Sequence, residues 1–389
     1  MRVMTCPELR IVETLAEGIV VEHPYSTAQH ALATPIAQLL ELLKEPEELS
    51  ALSETLSEDL IEQLLSIGLL VNADAPYETL RRLLRPFDPT FLAAPTGDPG
   101  GAEICVIGMP SDLLSDTGRG AASGPATLRL ASTPPRYRCD PLSGYPAGWY
   151  DYAAGRHVLQ GVRFADCGDI PLTPGSTAAE AGALLATIVR ACRKANSLPL
   201  ILGGDHSLTY WAVKGMGTGP VAVLHLDAHS DMGFTTASDP AIPSNGSVVR
   251  ALLGEESVAA LVTVGLRGFL PWQETPLRDG HTIISRAEYP RVGIDGVLAA
   301  LPPELPLYIS LDADCLDPSL VPACNSTVPG GFSYEEVRSL LDAVGRQRKV
   351  IGMDLVEVNG ERDPHLTTSR VLVHLALSLL GACTAEPEA

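Results

Sequence analysis

A chain of 389 residues with 46% hydrophobic and 19% charged residues is typical of a globular protein with one large domain or two unequal ones. Its formal net charge of −20 at pH 7 excludes an extended nucleic-acid-binding surface, because such a surface needs clustered Lys and Arg. The N-terminal stretch MRVMTCPELR lacks the apolar core of a signal peptide, and no apolar run is long enough to span a membrane. The eight cysteines include no CxxC pair. We therefore expect a cytoplasmic protein with reduced thiols.

Residues 1–80 are predicted to form a small α+β domain. They hold 14 Asp and Glu against 3 Lys and Arg, a net charge of −11. The extended segments RIVET and GIVVEH precede helical periodicity in ATPIAQLLELLK and SEDLIEQLLSIG, and the apolar LLVNAD follows. Ser57 predicts a helix start and Gly68 a helix stop. Residues 81–101 are rich in Pro and Gly and are interpreted as a linker.

From residue 102 the pattern changes to short apolar strands separated by helical segments. The predicted strands are EICVIGM, LPLILGG, VAVLHLD, LVTVGL, HTIIS, LYISLD and VIGMDLVEV. The predicted helices are GSTAAEAGALLATIVRACRKAN, SLTYWAVKGMG, NGSVVRALLG, SYEEVRSLLDAVG and TTSRVLVHLALSLLG. This alternation predicts an α/β domain whose mainly parallel sheet is covered by helices on both faces. In such sheets ligands bind at the carboxyl ends of the strands.

Ionisable side chains follow four of these predicted strands. Alternate residues of an extended segment point to one side, so the carboxylates and imidazoles of one motif can face a common space. The motifs are Asp205-His206 in GGDHS, Asp227, His229 and Asp231 in LDAHSD, Asp312 and Asp314 in LDADCLDP, and Asp354 and Glu357 in VIGMDLVEV.

The combination of these motifs points to a metal site. One DxD alone is more typical of a turn, GGDHS alone could be a glycine turn with a helix cap, and Cys315 and Cys324 are interpreted as packing residues. Four converging carboxylates need a cation, because their pKa values would otherwise rise steeply. Two imidazoles with four carboxylates suit Mn²⁺, and less specifically Fe²⁺, Co²⁺ or Ni²⁺. Six ligands exceed the need of one open ion and would serve two ions about 3.5–4 Å apart.

GGDHS, LDAHSD, SLDADCLDPSLVPACNSTVPGGFS and MDLVEVN resemble motifs of the ureohydrolase superfamily, which includes arginases, agmatinases and formiminoglutamases. The resemblance covers residues 102–386 and implies a three-layer α/β/α domain, a binuclear Mn²⁺ centre, hydrolysis of a guanidino group to urea and an amine, and a homo-oligomer. It implies that one ion is held by His206, Asp227, Asp231 and Asp312. The other would be held by His229 and Asp314, with Asp227 and Asp312 bridging.

The same resemblance implies substrate and catalytic residues. Glu357 is expected to anchor the guanidinium, and Asp231 and Asn245 are expected to take part in catalysis with it. Asn245 stands where the family usually has a proton-shuttling His, and an amide cannot relay a proton. Gly233 replaces an Asn that holds the amino-acid head group in arginases. Asn245 and Ser326 are further expected substrate contacts, Ser326 with Cys324 replacing the usual threonines.

Residues 1–80 are similar in layout to the winged-helix leader-recognition domains of enzymes that modify ribosomally made peptides. Oligomerisation or packing is the alternative role, and DNA binding is disfavoured by charge. The first functional hypothesis is therefore hydrolysis of arginine side chains to ornithine in a precursor peptide. The alternatives are an agmatinase-type enzyme for small molecules, a formiminoglutamase-like hydrolase, and a metal-binding protein without catalysis.

Overall fold

The computed structural model divides the chain into two units, Met1–Leu83 and Leu84–Ala389, and each is described by itself. The residues that the structure describes are 2–7, 9–22, 29–53, 56–74, 76, 89–139, 146–173, 175–217, 219–233, 242–270 and 273–384. None of the helices in these ranges is both long and apolar enough to cross a bilayer.

The described residues of the first unit form two small antiparallel sheets and three helices. Its elements are β1 (Arg2–Thr5), β2 (Arg10–Leu15), β3 (Gly18–Glu22), β4 (Gln29–Ala33), α1 (Thr34–Leu42), β5 (Glu47–Glu48), α2 (Leu49–Leu52), α3 (Glu58–Ser66) and β6 (Leu70–Asn72). The strand orders are β5–β1–β6 and β2–β3–β4. Every element predicted for residues 1–80 is present, while β1, β4, β5 and α2 were not predicted.

Local chemistry explains the limits of α3. The Ser57 side chain accepts a hydrogen bond from the Leu60 N–H at 3.3 Å, so the predicted helix start is confirmed. Gly68 follows the helix with a φ of +75°, a conformation that a residue with a Cβ adopts at a cost. The apolar side chains of α1 and α3 pack on the strands, as shown by the buried Val3, Leu40 and Ile61.

The second unit alternates strands and helices along most of its length. Its strands are β7 (Ile104–Gly108), β8 (Trp149–Asp151), β9 (Arg156–Val158), β10 (Phe164–Asp169), β11 (Leu198–Leu202), β12 (Val221–Leu226), β13 (Val258–Val264), β14 (His281–Ile284), β15 (Leu307–Asp312) and β16 (Val350–Val356). Its helices are α4 (Gly124–Ala131), α5 (Ala178–Lys194), α6 (Leu208–Gly215), α7 (Val248–Leu253), α8 (Tyr289–Ala300), α9 (Tyr334–Gln347) and α10 (Thr367–Cys383).

Eight of these strands form one sheet in the order β10–β7–β11–β16–β15–β12–β13–β14, and all neighbours are parallel. Helices α5, α6 and α7 pack together, and α4, α8, α9 and α10 form a second group. The predicted three-layer α/β/α fold with a mainly parallel sheet is confirmed. The four central strands, β11, β16, β15 and β12, are the ones that the charged motifs follow.

All seven predicted strands and all five predicted helices of this unit are confirmed, but β8 and β9, which pair in a separate two-stranded sheet, were missed. Strand β10 of the large sheet was missed as well. Its sequence, FADCGD, lacks a continuous apolar run because Asp166 and Asp169 interrupt it. Both carboxylates are paired with the fully buried Arg129, whose Nε lies 2.7 Å from Asp166 and whose Nη1 lies 2.6 Å from Asp169. Helices α4 and α8 were also missed. The first begins with Gly-Pro, and the second contains Gly293 at a φ of +65°.

The interpretation of residues 81–101 as a linker needs correction for its second half. Phe91 and Leu92 are fully buried in the core of the second unit. The Phe91 N–H donates to Asp166 Oδ2 at 2.7 Å, and Thr96 forms an isolated parallel bridge with Asp166. Pro and Gly in this stretch therefore shape an ordered segment of the larger unit. The remainder of the predicted linker, residues 81–88, lies outside the described residues.

Candidate metal centre and active site

The carboxyl ends of the central strands bring all six predicted metal ligands together. His206 follows β11, and Asp312 and Asp314 lie at the end of β15. Asp227, His229 and Asp231 follow β12. Five of the six side chains are buried, whereas the side chain of His229 is 38% exposed.

His206 marks one position for an ion. Its Nδ1 lies 3.1 Å from one oxygen of each of Asp227, Asp231 and Asp312. This buried nitrogen forms no hydrogen bond with any group in the described parts of the chain. Neighbouring donors around an octahedral ion with bonds of about 2.2 Å would be about 3.1 Å apart. The arrangement therefore fits a divalent cation better than a set of hydrogen bonds.

His229 marks a second position beside the first. Its Nδ1 lies 3.0 Å from Asp314 Oδ2 and 3.4 Å from Asp227 Oδ1. Asp227 thus presents Oδ1 to this imidazole and Oδ2 to that of His206. A carboxylate in this orientation can bridge two cations.

Backbone amides hold three of these carboxylates in place. The N–H of His229 donates to Asp227 Oδ1 at 2.6 Å, and the N–H of Asp314 donates to Asp312 Oδ1 at 2.8 Å. The N–H of Ala228 donates to Asp314 Oδ1 at 3.0 Å. Each carboxylate is therefore oriented before a cation binds, and the cost of ordering it is met during folding.

The electrostatics of the cluster also call for positive charge. Burial raises the pKa of Asp312 and of Asp314, and neighbouring carboxylates raise both further. Burial alone would lower the pKa of each imidazole, but the nearby carboxylates outweigh it. They raise the pKa of His206 well above its usual value and that of His229 to about 12. Protons on these imidazoles balance part of the negative charge of the carboxylates, as bound cations would.

A buried hydrogen-bond chain orients His206 from behind. Its Nε2 is 2.8 Å from Ser310 Oγ, which donates to Asp354 Oδ1 at 2.7 Å. Tyr308 and Thr209 donate to the other oxygen of Asp354 at 2.7 and 2.8 Å. With Nε2–H donated to Ser310, the lone pair of Nδ1 points at the carboxylates. The sequence showed Asp354 at a strand end but indicated no partner for it.

His225 is a site residue to which sequence analysis assigned no role. It is 1% exposed, and its Nε2 lies 3.1 Å from Asp227 Oδ2 and 3.8 Å from Asp231 Oδ2. Its Nδ1 lies 3.3 Å from Thr263 Oγ1 of the neighbouring strand β13. The available signal was a histidine inside an apolar strand, two residues before Asp227 and hence on the same side.

Arg267, three residues after the end of β13, is another site residue to which sequence analysis assigned no role. Its guanidinium donates to the backbone carbonyls of Asp314 at 2.6 Å, Val328 at 2.8 Å and Leu316 at 3.2 Å. These bonds fix the segment that carries Asp314 and continues to Cys324. An arginine after an apolar strand was visible in VGLRG, but its acceptors are distant in sequence.

Glu357 lies beside the cluster in an unusual backbone conformation. Its φ is +63°, and Asp231 has a φ of +49°, so two of the predicted catalytic residues are left-handed without being glycine. The Glu357 Oε1 accepts hydrogen bonds from the His206 backbone N–H at 2.8 Å and from Asn245 Nδ2 at 3.3 Å. Burial, with a contribution from Asp205, raises the pKa of Glu357 to about 8. A cationic substrate group would favour its ionised form.

Asn245 is oriented by its surroundings. Its Oδ1 accepts the Asp116 backbone N–H at 2.9 Å, so its Nδ2 must face Glu357 and Thr117. Ser326 is half-buried, and its side chain forms no hydrogen bond with the described residues. Gly233 has a φ of +65°, and a Cβ there would lie 3.0 Å from Ser247 Cβ. An Asn at this position would be strained.

Cys324 lies in the buried apolar core of the unit, as predicted, and its sulfur is also close to two carboxylates of the site. Ligand atoms of Asp312, Asp314 and Cys324 lie within 4.8 Å of one another, and all three residues are buried. Cys315 packs in the same apolar core, also as predicted.

Comparisons with known proteins agree with this geometry. The profile of the arginase family matches residues 102–381. The chain is 32% identical to proclavaminate amidinohydrolase of Streptomyces clavuligerus over 75% of its own length and 92% of that protein. It is 32% identical to N(1)-aminopropylagmatine ureohydrolase of Thermus thermophilus over 72% of its length and 91% of that protein.

The fold comparison gives the same result. The crystal structure of the Streptomyces clavuligerus proclavaminate amidinohydrolase superposes with a TM-score of 0.64 and 30% identity, covering 77% of this chain and 97% of that one. The first unit, Met1–Leu83, lies outside the region that the family profile matches. The chain belongs to the arginase family and is a hydrolase of amidino or guanidino C–N bonds.

Proposed function

We propose that this enzyme hydrolyses the guanidino group of arginine side chains within a peptide, with two Mn²⁺ ions, releasing urea and leaving ornithine. One observation carries the proposal. The carboxylate suited to a guanidinium, Glu357, lies next to the His206 backbone in the candidate centre, while the position expected to hold an amino-acid head group is Gly233, which has no side chain and where an Asn would be strained. A substrate without a free head group fits this pairing best.

The distances support a division of the ligands between two ions, in which sharing of Asp312 is part of the proposal. His206, Asp227, Asp231 and Asp312 would hold one ion, and His229 and Asp314 the other, with Asp227 and Asp312 shared. When bound, the ions would lower the pKa of water and supply a nucleophile at neutral pH. Both hydrogen bonds to Glu357 end on Oε1, which leaves Oε2 to accept from a guanidinium N–H.

Asn245 would position Glu357 rather than transfer a proton. Its amide neither gains nor loses a proton at neutral pH, but its Nδ2 donates to the anchoring carboxylate at 3.3 Å. A neutral donor at this place limits rotation of the Glu357 side chain without competing for the positive charge of the substrate.

The first unit supports a peptide as the substrate. It contains a cavity of about 280 Å³ whose lining includes Ile11, Ile19, Val21 and Leu40. Strand β2 is exposed along its whole length and, among the described residues, has a sheet neighbour only in β3. An extended peptide can add to such an edge while its side chains enter an adjacent apolar cavity. The net charge of −11 over residues 1–80 complements a peptide that contains arginine.

A small guanidino compound is the second candidate substrate. Relatives of this chain are named as an amidinohydrolase of proclavaminate, a ureohydrolase of aminopropylagmatine and an agmatinase, and each name denotes a small molecule. A formimino substrate is a further alternative, since two relatives are named formimidoylglutamase. A protein that binds metal without turnover would release neither urea nor formamide.

Urea release separates these candidates. The Mn²⁺-loaded enzyme is incubated with a capped peptide containing one arginine, with agmatine, with free arginine and with formiminoglutamate. We expect urea and a peptide lighter by the mass of the lost group from the first substrate, and no urea from agmatine. Urea from agmatine alone would refute the proposal in favour of the second candidate. Glu357→Gln, which removes the anchoring charge, should abolish urea release while the ions remain bound.

The role of the first unit is tested by a pair of variants in β2. Ile11 lines the cavity, whereas Val12 is exposed on the same strand without lining it. Ile11→Glu should raise KM for a long peptide roughly tenfold, because it places an unpaired carboxylate in an apolar site, and should leave KM for a capped single arginine unchanged. Val12→Glu is the matched control. Equal effects of the two variants would argue against docking in the cavity.

A further inference from the structure

Three segments at the carboxyl ends of the strands meet at the side chain of Asn359. This residue follows β16 and is 2% exposed. Its Nδ2 donates to the Arg119 carbonyl at 3.2 Å and to Asn325 Oδ1 at 2.6 Å. One buried amide therefore joins the end of β16 to the loop of residues 112–120, which follows β7, and to the segment that carries Ser326.

The backbone at Gly120 leaves room for this amide. Gly120 has a φ of +119°, and a Cβ there would lie 2.3 Å from Asn359 Oδ1 and 2.4 Å from its Nδ2. Gly118 has a similar φ of +126°, but the atom nearest to a Cβ there would be Asn325 Nδ2 at 4.0 Å. Both positions need glycine for their backbone conformation, whereas only Gly120 also needs it to admit Asn359.

The same loop contacts the amide that positions Glu357. The Asp116 N–H donates to Asn245 Oδ1 at 2.9 Å, and Asn245 Nδ2 donates to Thr117 Oγ1 at 3.2 Å. The Nδ2 of Asn245 also donates to Glu357 Oε1 at 3.3 Å. Asn245 thus contacts residues 116 and 117 of the loop, while Asn359 contacts residues 119 and 120. The two amides fix consecutive parts of one short stretch.

We propose that Asn359 is a positioning residue for substrate binding, which holds the loop 112–120 where Asn245 can orient Glu357. The inference rests on the proposed role of Glu357 as the guanidinium anchor, whatever the rest of the substrate is. If the loop is released, Asn245 loses the two contacts that direct its Nδ2, and Glu357 is held less firmly for the guanidinium. None of the six predicted metal ligands lies in this loop, so metal binding should not change.

Gly120→Ala and Gly118→Ala test this role with matched backbone strain. Each places a Cβ on a residue with a positive φ, but only Gly120→Ala displaces the Asn359 amide. In Gly120→Ala, KM for the capped arginine peptide should rise roughly tenfold while kcat stays within about threefold, because the guanidinium anchor is misplaced and the ions are not. Gly118→Ala should change KM by less than about threefold. Both variants should bind as many Mn²⁺ ions as the unaltered protein.

Cleavage by trypsin after Arg119 gives a second measurement that needs no turnover. The Arg119 side chain is 67% exposed, so the rate of cleavage depends on how often the loop opens. Asn359→Leu and Asn325→Leu should each raise the rate at which the fragment beginning at Gly120 forms by roughly fivefold or more. Asn325→Asp keeps an oxygen that accepts from Asn359 Nδ2 and should change this rate by less than about twofold.

The outcomes distinguish this inference from the proposed function. Equal KM values in Gly120→Ala and Gly118→Ala, or a tryptic rate that Asn359→Leu leaves unchanged, would overturn the role of Asn359 alone. Urea from agmatine but not from the peptide would overturn the proposed substrate. The same KM comparison would then be made with agmatine, because both compounds carry the guanidino group. No urea from either compound would overturn the proposed function and this role with it.

Discussion

Replacing Ser310 by Ala should weaken metal binding without touching a ligand. The substitution removes the hydroxyl between His206 Nε2 and Asp354 Oδ1, which are bridged by contacts of 2.8 and 2.7 Å. Ser310, Asp354 and Tyr308 are fully buried and His206 nearly so, which leaves no bulk water to replace the hydroxyl. The imidazole then loses the partner that directs Nδ1 at the carboxylates.

The size of the effect follows from what is left unpaired. Loss of a group that orients a metal-ligating His typically lowers metal affinity 10–100-fold, or about 1.4–2.7 kcal/mol. The buried Nε2–H is also left without an acceptor, which should lower the free energy of unfolding by about 1–3 kcal/mol. Tyr308→Phe removes a donor to the other oxygen of Asp354 but keeps the Ser310 bridge. Its metal affinity should stay within about threefold of the unaltered protein.

The assay is titration of the metal-free protein with Mn²⁺, followed by calorimetry or by the electron paramagnetic resonance signal of free Mn²⁺. Thermal unfolding of the same metal-free samples separates the effect on stability from the effect on binding. Ser310→Ala and Tyr308→Phe should both unfold at lower temperature, but only the first should bind Mn²⁺ more weakly. Equal Mn²⁺ affinity in the two variants would refute the role assigned to the Ser310 bridge.

Asp227→Ala should abolish binding of both ions, because Asp227 faces both imidazoles, and two tightly bound ions in this variant would contradict the bridging role. Asn245→His should raise turnover if proton delivery limits the rate. Asn245→Asp should lower turnover at least about tenfold, because it places a second carboxylate beside Glu357. An unchanged rate in both variants would mean that Asn245 neither limits proton delivery nor positions Glu357. Metal binding near pH 7 should release roughly two protons per chain, because His206 and His229 have raised pKa values and must lose protons to become ligands. Affinity should therefore rise with pH, and a binding enthalpy independent of the ionisation enthalpy of the buffer would contradict this.

The sequence was sufficient for the parts of the site that lie within one motif. Continuous apolar runs mark the strands of a parallel sheet, and the i, i+2 spacing of Asp227 and His229 marks residues that face one side. What it could not indicate depends on neighbours in the sheet. Ser310 gains its role because β15 and β16 are adjacent, so that its register partner Asp354 lies beside it. Arg267 likewise acts through carbonyls that follow another strand.

Residue types alone did not indicate the structural setting of three segments. The segment FADCGD does not look like a strand until Arg129 is placed against its carboxylates. Residues 89–101 look like a linker until Phe91 is found in the core. Cys324 packs in the apolar core as predicted, but nothing in the chain order indicates that its sulfur also lies near Asp312 and Asp314.

The amides that orient Asp227, Asp312 and Asp314 come from the same two motifs as the ligands themselves. The geometry of these three carboxylates is therefore a local property of two adjacent strand ends. The loops that carry Asn245, Ser326 and Gly233 contribute none of these amides. Natural variation can remodel those loops for a new guanidino or amidino compound while the ion positions are inherited intact. In a fold of this kind the substrate can change while the metal-dependent hydrolysis stays the same.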